Sequence, residues 1–371
     1  MPHLPALVVF LGGLRGSEVE EVVAAARRAA TLDSIEAALS TRGFTVAVLV
    51  TDDASPGPTL PGLAIDVDQG PFHFGARLVG VIRRHKLDGV VYMGGGSVPL
   101  LGPAGFAEIA KALGQGIVTN NAFSSDLVAL PVNETVLDAI ESIERDNGLA
   151  RALQEAGLAL KELPRTVETQ MDIDGPSDLA VLALTRQGGP RLQVYLRAQR
   201  LDLTRYQRVL PLFTDRQAQI LVAGRVGSHA WQYLERETAC RVRLFAEERG
   251  LEAEGRAEER TARSLLGFFI EATGIKRFFA VLPELGDAAF IDTRVLLAHF
   301  GIDATREDRF LSDVGAWADI RDPFLRDFTR AAIEAPIPIL LGGHSLMSGG
   351  LMAFNEHAWR QSETPPPFPS S

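Results

Sequence analysis

Glycines bunch at places where the chain could take hold of an anion. Gly12-Gly13, with Arg15 close behind, follows one short apolar run, and Gly94-Gly95-Gly96-Ser97 follows another. Successive glycines after a strand let the backbone approach a ligand and turn its N–H groups toward phosphate oxygens. Arg15 adds a guanidinium that can pair with a phosphate bidentately; the plain alternative is a tight turn with an exposed arginine. Asp172 and Asp174 alternate along what reads as a strand, so both face one side. Two acidic groups beside phosphates suit Mg²⁺, which takes one or two carboxylates plus substrate oxygens. Alternatively Asp172 or Asp178 caps the helix opening near Pro176-Ser177. Capping is expected of Asp178, and Asp174 stands as the metal candidate. Asp52-Asp53 offers further carboxylates, which turn formation explains equally well. Asn120, Asn121, Ser124 and Ser125 gather amides and hydroxyls that suit a sugar or polar acceptor, or an ordinary loop.

The second half carries three more such segments. Gly224-Arg225-Val226-Gly227-Ser228-His229 reads as a strand end opening a helix, the geometry that binds anions. Gly342-Gly343-His344-Ser345 continues through Leu346-Met347-Ser348 to Gly349-Gly350, and Asp292-Thr293-Arg294 interrupts an apolar stretch. His229, His299, His344 and His357 lack any tight ligand spacing, so zinc is not expected. No nucleophile-elbow pattern surrounds Ser345 or Ser348. The expectation for this half is a second anion pocket, or an interface to the first domain or to a second protomer.

The elements that must position these residues follow from hydrophobic periodicity. Ala6–Leu11, Thr45–Val50, Leu87–Met93 and Gly116–Thr119 read as buried strands. Helical spacing covers Ser17–Leu39, Gly75–His85, Phe106–Leu113 and Asn133–Gly157, the last with an optional break at Asn147-Gly148. Strands alternating with helices mean βαβ units and a mainly parallel sheet, whose ligands gather at the carboxyl ends of the strands. Gln187–Arg191 reads as a linker. Beyond it, Gln219–Val226, Arg241–Phe245, Lys276–Leu282 and Ile337–Leu341 are strand candidates, His229–Thr238 is a helix, and Glu247–Arg263 is a charged helical stretch. Glu363–Ser371 is too proline-rich to pack and reads as a disordered tail.

Composition bounds the function class. The 371 residues exceed one ordinary domain, and 46% hydrophobic with 23% charged residues is a globular balance. A net charge of −10 argues against nucleic-acid or anionic-membrane partners, both of which need a basic face. Lysine is rare, 4 against 33 arginines, as a GC-rich genome would give. The single cysteine, Cys240, excludes an internal disulfide framework and reads as a buried thiol. Met1–Pro5 lacks the basic and apolar regions of a signal peptide, and no apolar run is long enough to span a bilayer; a cytoplasmic protein is expected.

Four segments in order resemble one family, the MobA-like NTP transferases, which include molybdopterin and phospholactate guanylyltransferases. They are Val8–Gly16 with its glycine loop, Val98-Pro99-Leu100-Leu101 after a central strand, the helical Ile140–Leu153, and Met171-Asp172-Ile173-Asp174-Gly175-Pro176-Ser177-Asp178-Leu179. The resemblance covers about half of the chain. It implies an α/β, GT-A-like three-layer sandwich with a mainly parallel sheet over 1–187; the rest of the chain reads as a second mixed α/β domain over 191–360 and a tail, 361–371. It implies transfer of a nucleotidyl group from an NTP to a phosphorylated or polar small-molecule acceptor. On that reading Gly12, Gly13, Arg15 and Gly94, Gly95, Gly96, Ser97 hold the nucleotide. Asn120, Asn121, Ser124 and Ser125 meet the acceptor, and Asp174 with Asp52 holds Mg²⁺. Arg15 and Asp174 are the catalytic candidates, and a homodimer is compatible. One position departs: family members generally place a metal-holding aspartate ahead of Pro-Leu-Leu, where this chain has Ser97. That departure motivates the alternative, a non-catalytic nucleotide or nucleotide-sugar binding protein. Arg27 and Arg28 stand where the family places a basic residue, or are surface charges.

Overall fold

The computed structural model of the chain describes residues 4–12, 16–53, 59–67, 70–113, 116–248 and 261–362. Two units are present: Met1–Leu14, Ala24–Thr169 and Gly188–Leu192 in the first, and Arg15–Val23, Gln170–Gln187 and Gln193–Ser371 in the second. Gln170–Gln187, expected to close the first domain, is thus part of the second unit. The short return of 188–192 to the first unit has a local cause. Buried Asp33 accepts the Arg191 and Leu192 N–H groups at 3.1 and 2.9 Å, capping the helix Pro190–Ala198 from outside.

In the first unit, β1 (Ala6–Leu11), β2 (Ala47–Thr51), β3 (Leu63–Val67), β4 (Gly89–Gly94), β5 (Ile117–Thr119), β6 (Leu127–Pro131) and β7 (Leu160–Glu162) form a sheet ordered β3-β2-β1-β4-β6-β5-β7. β6 runs against both neighbours, and the remaining pairs are parallel. Alternate strand residues feed two cores. Val8, Val50, Val90 and Tyr92 meet Phe74, Leu78 and Ile140 on one face. Leu7, Val9, Leu49 and Val91 meet Ile35, Phe106 and Ile109 on the other. Helix, sheet and helix make the expected three layers with a mainly parallel sheet. The strands β3, β6 and β7 were not foreseen, being short or, in β7, mostly exposed. Of the two options for Asn133–Gly157 the broken one holds: two helices, Glu134–Glu141 and Leu149–Glu155, with a short 3₁₀ turn at Asp146–Gly148 between them.

The second unit carries β8 (Gln219–Gly224), β9 (Arg241–Ala246), β10 (Ala288–Asp292) and β11 (Ile339–Gly342), ordered β11-β10-β8-β9 with every pairing parallel. One face packs Leu221, Ile291 and Leu341 against Phe278, Phe279 and Phe328. Phe354 stacks on Tyr206 and Phe213 elsewhere in the unit.

Two expectations do not hold in this structure. Lys276–Leu282 is a helix, Ile275–Val281, not a strand: Gly274 at φ +80° resets the chain and Phe278 and Phe279 then turn inward. Met171–Asp174 is not a strand beyond one bridge residue, Asp172, so the alternation argued for Asp172 and Asp174 does not apply. Glu247–Arg263 lies mostly outside the described residues, as does the tail 363–371. Cys240 is buried, and burial pushes its thiol up to about 11. Among the described residues no helix is long and apolar enough to cross a membrane.

Candidate functional site

β1, β2 and β4 end side by side at one edge of the first unit's sheet, and the turns that follow carry most of the predicted ligand groups. Gly12 is exposed there, and an Asp52 oxygen lies 3.0 Å from where a β-carbon on Gly12 would sit. The turn after β1 and the turn after β2 therefore touch, as expected for one crevice. Gly13 and Arg15, which would complete the phosphate loop, lie outside the described residues. Arg28 pairs with Asp53 at 2.6 Å over an exposed stretch, so it is a surface charge stapling helix Glu18–Ser40 to the β2 turn.

The turn after β4 is built differently from the phosphate cradle that the glycines suggest. Its four N–H groups already have acceptors: Gly94 on Asp126 O at 3.0 Å, Gly95 on Phe10 O at 2.7 Å, Gly96 on Thr31 Oγ1 at 3.2 Å, and Ser97 on Gly94 O at 3.1 Å. Arg27 Nε donates to the Gly95 carbonyl at 2.7 Å. Gly96 sits at φ +88° with the Arg27 side chain 2.7 Å from its missing β-carbon, so only glycine fits. Gly95, Gly96 and Ser97 are buried. The glycines thus let the loop pack tightly onto helix Glu18–Ser40 rather than offer open amides. Val98, a β-branched residue ahead of Pro99, is held at φ +41° while buried. That conformation is strained for valine and disfavoured before proline, and it persists only where surroundings over-determine it.

The expected acceptor loop is likewise engaged within the chain. Asn120 Oδ1 accepts from the N–H groups of Asp126 and Leu127, and its Nδ2 donates to Asp126 Oδ2 and Thr169 O. Asn121 Oδ1 accepts from Phe123 N at 3.1 Å, an Asx turn, and Ser125 Oγ donates to the carbonyls of Asp146 and Asn147 at 3.3 Å. Asn120, Asn121 and Ser125 are buried, and Ser124 is half-buried. These side chains shape the loop and carry the half-buried Asp126 to the sheet edge.

What the edge presents in the open was missed by the sequence reading. Asp146, in the helix break, lies with one carboxylate oxygen 3.8 Å from the position of a Gly94 β-carbon, and Ser97 Oγ lies 2.9 Å from the same point. Asp146 also accepts the Tyr92 hydroxyl at 2.9 Å. Burial, then the charge and hydrogen bond of Asp146 and the charge of Asp126, hold the Tyr92 phenol well above its ordinary value, with Arg27 opposing. Tyr92 is therefore a fixed donor. Asp126, whose carbonyl accepts the Gly94 N–H, and Asp146, whose carboxylate lies beside Gly94, put two acidic residues at the end of β4. Phe72, 62% exposed, packs its ring edge-on to Phe10, whose register partner is Gly94. Phe123 is the other open aromatic of the loops described here, 76% exposed.

Among the described residues no three His, Cys, Asp or Glu side chains come together as a ready-made cation site. Two carboxylates completed by ligand oxygens fit the way Mg²⁺ is usually bound. Asp174, the sequence's metal candidate, belongs to the second unit and is exposed there, while Asp178 accepts the N–H groups of Asp174 and Gly175 at 2.9 and 2.8 Å. The capping role expected of Asp178 is what its geometry shows.

No family model and no curated protein matches the chain. Solved structures align with about half of it. A provisionally assigned nucleotide-diphospho-sugar transferase from Desulfovibrio desulfuricans G20 is 17% identical over 52% of this chain and 93% of its own, with a TM-score of 0.38. Rv0371c from Mycobacterium tuberculosis H37Rv, solved in complex with manganese, is 20% identical over 43% of this chain and 88% of its own, with a TM-score of 0.32. HddC from Yersinia pseudotuberculosis is 12% identical over 43% of this chain and 90% of its own, with a TM-score of 0.31.

Proposed function

We propose that the first unit is nucleotidyltransferase-like: it binds a nucleoside triphosphate at the carboxyl edge of its sheet and transfers the nucleotidyl group to a phosphorylated or polar small molecule. The observation that carries this reading is the Asp126–Asp146 pair beside Gly94, which supplies the carboxylates that Ser97 does not. A divalent ion held by this pair and the phosphates, Mg²⁺ or Mn²⁺, would neutralise charge that builds on the α-phosphoryl group. The turn containing Gly12 holds the phosphates by backbone, and Arg27 with Thr31 fixes the floor on which Gly94 stands. Tyr92 keeps Asp146 aimed. The acceptor oxygen bonds to the α-phosphorus while the bond to the departing pyrophosphate breaks, and a phosphate acceptor arrives already deprotonated. Rate would come from positioning and electrostatics.

A second reading, a nucleotide or nucleotide-sugar binding protein without turnover, is favoured by one observation. Asn120, Asn121 and Ser125 are committed to the chain, which leaves an acceptor few polar partners. The two are separated by titrating the full chain with each NTP in Mg²⁺ by calorimetry, then measuring pyrophosphate release with and without candidate phosphorylated acceptors. Metal-dependent binding with release supports transfer, and binding without release under every acceptor supports the second reading. Absence of NTP binding sinks both.

A further inference from the structure

Arg225 and Arg294, the cations that an anion pocket in the second half would use, are each taken up by a buried aspartate. Asp292 accepts Arg225 Nε at 2.6 Å, and Asp313 accepts Arg294 Nη2 at 2.6 Å. The unspent surface of this unit lies instead on the helix Leu265–Thr273. Its inner side is firmly seated. Ser264 caps it, accepting the Gly267 N–H at 3.1 Å and donating its hydroxyl to Glu247 at 2.6 Å. The Ser264 N–H donates to His299 Nδ1 at 3.1 Å. A β-carbon on Gly267 would lie 2.3 Å from the His299 ring, and Ile270 joins the core beneath.

The outer side is apolar where a surface helix is ordinarily polar. Leu265, Phe268 and Phe269 are 69, 51 and 38% exposed, and Ala272 is exposed with them. These positions are i, i+3, i+4 and i+7, so they form one continuous stripe. Single exposed apolar side chains are ordinary, but a stripe at helical spacing is an interaction face. This one is self-complementary about its own middle. Reversed end to end, it sets Phe268 against Phe269 of a second copy and Leu265 against Ala272, a large side chain over a small one, twice by symmetry. A parallel copy would instead crowd Leu265 on Leu265 and leave a gap at Ala272. The charges agree with reversal. Arg263 precedes the stripe and Glu271 lies near its far end, both exposed. Antiparallel copies therefore bring opposite charges within about one helical turn of each other at both ends. The sheet edge offers no competing route: β9 is the outer strand of the order β11-β10-β8-β9, and Arg241 and Arg243 stand exposed along it, charges that discourage strand-to-strand pairing.

We propose that a second copy of this chain covers the stripe, the two Leu265–Thr273 helices packing antiparallel about a two-fold axis that passes between Phe268 and Phe269. Two short stripes make a small interface, at the low end for specific association, so the dimer dissociates on dilution. This pairing is independent of the nucleotide reading of the first unit.

The test is sedentation-independent of any ligand: full-length protein is followed by analytical ultracentrifugation over a wide concentration range. Wild type should shift from monomer to dimer as concentration rises. Leu265→Arg should weaken the dimer by roughly a hundredfold or more, because symmetry counts each lost contact twice. Circular dichroism should show its fold unchanged, since Leu265 makes its side chain mostly available to solvent. A cross-link then fixes the register and decides the matter should Leu265→Arg misfold. In a Cys240→Ala background, Leu265→Cys with Ala272→Cys should oxidise to covalent dimers. Either cysteine alone should not, because antiparallel pairing parts the two copies of one position by about 10 Å along the axis, beyond disulfide reach. A monomer at every concentration overturns the proposal and leaves the stripe to another partner. A dimer untouched by Leu265→Arg overturns it too, as does cross-linking by Leu265→Cys alone or none in the double variant.

Discussion

Tyr92 donates its hydroxyl hydrogen to Asp146 at 2.9 Å, joining the middle of the first sheet to the break between two helices. Tyr92 is fully buried and edge-on to Phe10 and Phe74. The contact therefore places a carboxylate at the sheet edge with the precision of the core behind it.

The first prediction follows from that placement. Asp146→Asn should keep the Tyr92 hydrogen bond and the fold, yet lose a metal-holding charge, lowering NTP turnover or Mg²⁺-dependent affinity by roughly a hundredfold. Tyr92→Phe should cost about 1 kcal/mol of stability and a smaller loss of affinity, since Asp146 keeps its charge but not its aim. Calorimetry in Mg²⁺ and in chelator checks both. Equal affinities for wild type and Asp146→Asn would remove Asp146 from the site.

Ser97→Asp offers a different check on the same geometry. Ser97 is 5% exposed, and its Oγ shares the surroundings of Gly94 with Asp146. A carboxylate added at this buried position faces the like charge of Asp146, so the metal-free protein should lose about 1–3 kcal/mol. Mg²⁺ or Mn²⁺ should restore the loss, because a divalent ion turns repulsion into shared ligation. Melting temperature with and without metal reads this out. A variant that is destabilised equally in both conditions would show that position 97 and Asp146 do not face one ion site.

Phe72 tests where a base would lie. Being 62% exposed, it contributes little to folding, so Phe72→Ala should leave melting nearly unchanged. Stacked on a nucleobase it would be worth about 1–3 kcal/mol, a loss that NTP titration would see. A drop in stability with no drop in affinity would make Phe72 a packing residue for Phe10.

How much of this was legible in the sequence can be judged residue by residue. The runs Ala6–Leu11, Leu87–Met93 and Gln219–Val226 are apolar and β-branched enough to read as buried parallel strands, and from them the three-layer plan follows. Gly12 and Asp52 were readable as neighbours because adjacent parallel strands must end together. Asp146 was not readable. It precedes Asn147-Gly148, whose turn signal suggested only a helix break, and its role depends on a hydroxyl 54 positions away in sequence. The Gly94–Ser97 turn misled in the other direction. Glycine permits both an open amide nest and tight packing, and only the positions of Arg27 and Thr31 decide between them. The strand expected at Lys276–Leu282 fell to a similar ambiguity, since a short apolar run fits a buried strand or a buried helix turn equally well.

The last prediction concerns Asp178 and acidity. Its Oδ2 takes two backbone N–H groups, while Oδ1 is buried with no hydrogen-bond partner. Burial, then the charge of nearby Asp174, raises this carboxyl well above its ordinary value; the two N–H bonds pull against them, and Asp313 adds to the rise. A native pKa above the unfolded value, about 3.9, means the folded chain binds the proton more tightly than the unfolded chain. The stability this group contributes is therefore complete below about pH 4 and is lost as pH climbs through its raised native pKa. Asp178→Asn keeps an acceptor for the two N–H groups and cannot ionise, so that loss disappears. Near pH 4 the variant should lie within about 1 kcal/mol of wild type, because its amide leaves an equally orphaned atom. With rising pH the variant should become the more stable of the two, the gap widening and then levelling once wild-type Asp178 is ionised. Taking the difference between variant and wild type cancels Asp292, which titrates in both, and leaves Asp178 together with its charge interaction with Asp313. Urea midpoints across pH 4 to 9 measure it, and a gap that shrinks with rising pH would mean Asp178 is held ionised in the fold, its charge stabilised by the helix Pro176–Thr185 that it caps.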